Sequence, residues 1–227
     1  MSLSKMRIFP LGDSALTVEF GNAISVELNE KAIALSELIE TNGFPGFIES
    51  ASAYASTTIY YQPAVVRQHF TAFPNAFEAV KSMTLAAIGR LGDLPVRTGT
   101  TFEIPVRFDD ECALDLEYIA EKCSLSADEV IEIFISRTYR VFMLGFLPGF
   151  AYMGKLDARI EVKRKDTPRL AVPKGSVGIA GGQTGIYSLV SPGGWQIIGR
   201  TEVEMFSSAE KNPSFLEAGD SIRFYRL

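Results

Sequence analysis

Histidine occurs once, tryptophan once and cysteine twice in these 227 residues, and each scarcity removes a class of chemistry. A lone His69 cannot complete a zinc site with Cys112 and Cys123, whose spacing fits no metal pattern. Any Ser–His or Cys–His nucleophile pair would need that same histidine, which reads as an exposed helical or loop residue. No G-x-S-x-G elbow, P-loop lysine or G-x-G-x-x-G turn is present. No segment approaches ~18 consecutive apolar residues, and the first twenty hold no apolar run of signal-peptide length. A net charge of −5 disfavours nucleic acid and anionic membrane as partners, since both reward a basic surface. The expectation is a soluble, cytoplasmic globular protein with ordinary buried thiols and no metal.

The chain changes grammar near its middle. Residues 1–98 alternate strands and helices: "MRIFPL", "ALTVEFG", a helix capped by Ser25 and stopped by Gly43, then "GFIES" and "STTIYYQ". A second helix opens at Asn75, carries Phe77, Val80, Thr84, Ile88 and Leu91 on one face, and ends at Gly92 and Pro95. The order ββαββα predicts a two-layer α+β unit with both helices on one face of an antiparallel sheet. The Pro/Gly segment 93–100 marks the boundary. Residues 99–227 restart with the strand "TFEIPVRF". Two short helices follow, the second opened by the capping box Ser126-x-x-Glu129, and then short β runs suited to a barrel or sandwich.

Glycine is crowded late in the chain, with eleven of nineteen lying between Gly145 and Gly199. Such crowding fits tight barrel corners, or the close approach of a ligand or another backbone. Carboxylates are absent from residues 167–201, where the average density of 27 in 227 would place about four, while Arg169, Lys174 and Arg200 are present. Free guanidinium groups beside glycine N–H groups are what an anion site requires; buried strands that simply exclude acids would look the same. Phe146, Phe150 and Tyr152, in "GFLPGFAY", either wall a cleft or belong to the core. Without a nucleophile–base pair, any catalysis would rest on positioning and electrostatics in a site shared with another chain.

Three stretches, "YRVFMLGFLPGFAYMG", "TPRLAVPKGSVGIAGGQTGIY" and "SPGGWQIIGRT", resemble the family of the B-type 5-oxoprolinase subunit. That family takes in the kinase inhibitor KipI and the allophanate-hydrolase subunit 1 domain of urea carboxylases. "PLGDSALTVEFG" and "LEAGDSIRFY" extend the resemblance over nearly the whole chain. It implies an N-terminal α+β domain followed by a cyclophilin-like β-barrel domain. It also implies a non-autonomous member of an ATP-dependent assembly that opens 5-oxoproline to L-glutamate. ATP would be bound by the complex, and the partners would be a C-type protein, similar to allophanate-hydrolase subunit 2, and a lactam-binding A-type protein. A KipI-type regulator that binds a histidine kinase is the alternative, and a urea carboxylase component the third.

The family motif falls on Gly145, Phe146, Pro148, Gly149, Phe150, Tyr152, Pro168, Arg169, Pro173 and Gly175. It continues through Gly182, Gln183, Thr184, Gly185, Tyr187, Pro192, Gly193, Gly194, Trp195 and Gly199. The implied catalytic group is Arg169, Gln183, Thr184 and Arg200, expected in one cleft beside the "GFLPGF" loop. Phe146, Pro148, Phe150, Tyr152, Gly182, Gly185, Tyr187 and Trp195 are the expected substrate- or anion-binding group, with Phe146 and Phe150 water-exposed until a partner covers them. Three positions depart from the family. Phe134-Ile135 stand where His-Ser is usual, Ser207 follows Phe206 in place of Asp, and Lys174 replaces a small residue.

Overall fold

Ser25 accepts a hydrogen bond from the Leu28 N–H at 3.1 Å, and Asn75 accepts one from Glu78 at 2.8 Å, so two helices of the first unit start where their capping residues dictate. The computed structural model describes residues 6–93 and 98–227. The chain divides into two compact units, residues 1–97 and 98–227. Residues 94–97 of the boundary segment, and Pro95 with them, lie outside the described residues. No helix among the described residues is long and apolar enough to cross a membrane.

In the first unit the strands are β1 (Arg7–Pro10), β2 (Ala15–Glu19), β3 (Phe47–Ser52) and β4 (Ser56–Tyr61), forming an antiparallel sheet in the order β1-β2-β4-β3. Helix α1 (Val26–Asn42) buries Ala32, Leu35 and Ile39, as the spacing predicts. The ββαββα expectation omits one element, helix α2 (Pro63–His69), a short turn begun by Pro63 and anchored by the fully buried Val66. A seven-residue helix with one buried anchor leaves too little periodicity to read. Helix α3 (Ala76–Gly89) ends earlier than expected, and Leu91–Asp93 form a 3-10 turn. Val80 and Thr84 are buried on its core face, with Phe77, Ile88 and Leu91 packed partly against the same core.

The second unit begins with β5 (Thr101–Val106), α4 (Leu116–Cys123) and α5 (Ala127–Ile135), followed by β6 (Thr138–Leu144), β7 (Ala151–Gly154) and β8 (Arg169–Val172). Then come β9 (Ser176–Ala180), β10 (Gln183–Ile186), β11 (Ser191–Gly193), β12 (Gln196–Arg200) and β13 (Ser221–Arg226). Seven strands join in the order β12-β9-β10-β7-β6-β13-β5. Beyond β5, Arg107 and Arg200 exchange backbone hydrogen bonds of 2.8 and 3.0 Å, which nearly closes the sheet into a barrel. Inward residues of alternating strands, among them Val141, Met153, Ile179, Ile198 and Phe224, form one core with Ile119, Val130, Ile131 and Phe134 of α4 and α5. The expected capping box is present in α5, where Ser126 and Glu129 satisfy each other's backbone N–H groups. A separate ribbon pairs β8 with β11, and it positions the candidate site.

Candidate functional site

Strand alternation splits the motif between two faces of the barrel. Gly185 pairs with Tyr152 on β7 and Gly178 on β9, so these residues share the outer face. Above them lies a second hydrophobic cluster of Phe150, Val172, Ala180, Tyr187, Trp195 and Ile197. Phe150 sits at its centre. Its ring lies 4.9 Å from Tyr152, 5.3 Å from Tyr187, 5.6 Å from Trp195 and 5.5 Å from Phe146, all edge-on. Such contacts add about 0.5–1.5 kcal/mol each beyond the burial of area. The expectation that Phe150 is water-exposed is therefore corrected: it is 1% exposed, while Phe146 is 60% exposed. Phe146 holds a left-handed φ of 68°, unusual for a bulky residue, and aims its ring across Phe150 and Tyr187 from outside.

The glycine crowding follows from these rings. A Cβ on Gly185 would stand 2.8 Å from Phe150 Cζ, and one on Gly193 would run into the Tyr187 ring and hydroxyl. Neither position has room for a side chain because an aromatic ring already fills the space. Two glycine N–H groups of the carboxylate-free window are already bonded: Gly175 donates to Tyr187 O, and Gly181 to Val162 O, each at 2.7 Å.

At the ribbon edge of the cluster lies a group of charges. Arg169, the first residue of β8, donates through Nη1 and Nη2 to the two carboxylate oxygens of Asp115, both at 2.8 Å. Asp115 also accepts from Lys165 Nζ at 3.0 Å and from the Ile197 N–H at 2.7 Å, and it is 5% exposed. Burial alone would raise its carboxyl pKa, but the bonds from Arg169, Ile197 and Lys165 outweigh it and hold the pKa below the ordinary range. Arg164 lies over the Trp195 ring at 5.7 Å, a cation–π contact. The Tyr187 hydroxyl is raised in pKa by burial, against a hydrogen bond from the Trp195 backbone and the nearby charges of Arg164 and Arg169.

The remaining predicted residues are dispersed. Thr184 pairs with Met153 and Ile179, faces the barrel interior, is fully buried, and donates to Gly178 O at 3.0 Å. No ligand on the outer face reaches it. Its neighbours Gln183 and Gly182, at the β9–β10 turn, are half-buried, and Pro148 is exposed on the loop beside Phe146. Arg200 ends β12; its Nε is buried without a partner, and its neighbours are Arg107, Cys112 and Gly175. Three residues of extended strand, roughly 10 Å, separate it from Ile197, where Asp115 binds, so it does not join Arg169. Phe134 is a core residue, stacked on Phe224 at 4.9 Å and beside Tyr139 at 5.2 Å. Lys174 forms a surface pair with Glu204. His69 is exposed, with Nδ1 3.0 Å from Val65 O.

Sequence reasoning missed Asp115, Lys165 and Arg164. The run Lys163-Arg164-Lys165 was a visible signal. Asp115 was not, because an acid at a helix start reads as a cap and its partner lies 54 residues away. What the arrangement offers is apolar contact from Phe146 and Tyr152 beside fixed positive charge. Asp115 is already ionised and bonded, so no free base stands here, and no cluster of metal-ligating residues occurs among the described residues.

Residues 6–216 match the family described as carboxyltransferase domain, subdomain C and D. The chain is 40% identical to the B-type subunit of 5-oxoprolinase from Bacillus subtilis over 224 residues, 98% of this chain and 93% of that protein. The crystal structure of TTHA0988 superposes with a TM-score of 0.79 at 31% identity, covering 94% of this chain but only 40% of that one. The structure of the uncharacterized PH0987 of Pyrococcus horikoshii aligns over 97% of both chains, with 39% identity and a TM-score of 0.55.

Proposed function

Because the chain belongs to the carboxyltransferase subdomain C and D family, we propose that it is the B-type component of an ATP-dependent 5-oxoprolinase and builds one wall of a shared active site. The observation that carries this reading is the 40% identity to a B-type 5-oxoprolinase subunit over nearly both full lengths. The barrel is then the cyclophilin-like domain of that family. The reaction adds water across the lactam C–N bond of 5-oxoproline to give L-glutamate, with ATP hydrolysis in the assembly supplying the driving force. The partners are a C-type protein and a lactam-binding A-type protein.

This chain contributes position and charge. Phe146 and Tyr152 present apolar surface, Arg169 and Arg164 fix anionic groups, and Phe150, Tyr187 and Trp195 hold that surface in shape. Thr184 supports the strand from within. With no nucleophile–base pair at the site, proton transfer falls to groups supplied by the partner. Phe134, sealed in the core, takes no part in this chain.

Co-purification with candidate C-type and A-type proteins, followed by an assay of ATP-dependent glutamate formation, tests the reading. Activity is expected only with the partners present. Ring opening by the purified chain alone, or inactivity of a fully assembled complex, would overturn it.

A further inference from the structure

An arginine guanidinium has two hydrogen-bonding edges, an end formed by the two Nη groups and a side formed by Nε and Nη2. In Arg169 the end is occupied by Asp115. The bonds to Asp115 run through Nη1 and Nη2 and leave Nε out of the pair, and the side chain is 23% exposed. One edge of this arginine is locked and the other is open.

Asp115 is arranged to do the locking. It occupies the N-cap position of α4, where an aspartate ordinarily bonds the first free N–H groups of its own helix at a gain of about 1 kcal/mol. Here the side chain makes no capping bond. Its two oxygens instead take four donors: both Nη groups of Arg169, Lys165 Nζ and the Ile197 N–H. A simple staple between helix and ribbon would balance one carboxylate with one cation. This one holds two cations, leaving one unit of positive charge half-buried beside the Tyr187 hydroxyl, at a desolvation cost a structural pair has no need to bear. β8 also carries an extra residue, with Arg169 opposite Gly193 and Val172 opposite Ser191, a bulge of the kind that re-aims side chains.

We propose that Asp115 is the positioning residue of a carboxylate-binding site, in which the open Nε–Nη2 edge of Arg169 receives the carboxylate of a small molecule. Lys165 shares the Asp115 charge and keeps Arg169 from being neutralised. Arg164, on the Trp195 ring, supplies the second cation facing the ligand. The identity of the ligand as 5-oxoproline or its product rests on the proposed function; the carboxylate site itself does not.

The test follows the Arg169 side-chain Nε–H resonance of the full chain in ¹⁵N-edited NMR spectra, assigned by its loss in Arg169→Lys. The probes are 5-oxoproline, its carboxamide, and acetate. The expected result is a saturable shift with 5-oxoproline, a weaker one with acetate and none with the carboxamide. Asp115→Asn should weaken binding by about tenfold or more, because the fork loses its orientation. If Asp115→Asn does not fold, Arg169→Lys keeps the charge without the side edge, and calorimetry should show a loss of about tenfold as well. No shift with either carboxylate, an equal response to the carboxamide, or full affinity in a folded variant overturns the proposal. A response to acetate and 5-oxoproline of equal strength keeps the carboxylate site and removes the substrate assignment. Ring opening by the assembled complex without any Arg169 response overturns the carboxylate site and leaves the proposed function standing.

Discussion

Replacing Gly185 by alanine separates the two explanations of the glycine-rich strands. The new Cβ would stand 2.8 Å from Phe150 Cζ and 2.9 Å from Ala151 O. Phe150 cannot retreat easily, since it contacts four other rings and is 1% exposed. Overpacking of this kind costs about 1–3 kcal/mol, and the clash with backbone as well as ring places the expectation near the top of that range. For a unit of this size a loss of about 2–3 kcal/mol lowers the melting temperature by roughly 8–12 °C. Trp195, the sole tryptophan, lies in the same cluster, so its fluorescence reports the melting of this unit. A double-mutant cycle assigns the cause. In a Phe150→Leu background the penalty of Gly185→Ala should fall by about 1 kcal/mol or more, with the remainder due to Ala151 O. If Gly185→Ala leaves stability unchanged, or the two substitutions add without coupling, the rings are not the reason for the glycine.

Ser126→Ala removes one half of the α5 capping box and should cost about 1 kcal/mol, read by urea denaturation; a change below a few tenths would show that the cap is redundant. Asp115 has a folded-state pKa below its unfolded value of about 3.9, so its stabilisation is present above about pH 4 and lost as pH falls through the folded value. Asp115→Asn should therefore flatten the acid limb of a stability–pH curve and leave the slope near neutrality unchanged; an unaltered acid limb would contradict the bonding described. Phe134→His places an imidazole in the stack with Phe224 and Tyr139, and should cost about 2–4 kcal/mol by burying polar nitrogens without acceptors; a variant as stable as the parent would mean the position is not sealed. Limited proteolysis should cut first within residues 93–100, leaving a stable C-terminal fragment, whereas first cleavage inside residues 145–200 would contradict two independently folded units.

Local features were legible because their physics is local. Ser25, Asn75 and Ser126 bond N–H groups three residues away, so the helices they open could be read from short segments. The change to short strands after residue 100 followed from period-two patterning and the spacing of Gly and Pro. Helix α2 was not legible, because seven residues with one buried anchor make no pattern. The candidate site was legible only as a region. Composition marked residues 145–200 as unusual, and the motif named Arg169 within it. That Gln183 and Thr184 point to opposite faces depends on strand register. That the carboxylate-free window borrows Asp115 depends on α4 being laid against β12 and β8, across a separation of 54 residues. A missing charge within a window says nothing about charges folded onto it. By itself the sequence determined most of the elements, the helix caps and the family resemblance, all carried by neighbours along the chain. Only the tertiary structure decided that the glycines make room for Phe150 and Tyr187 and that Asp115 takes the Nη end of Arg169, because contacts between distant segments set both.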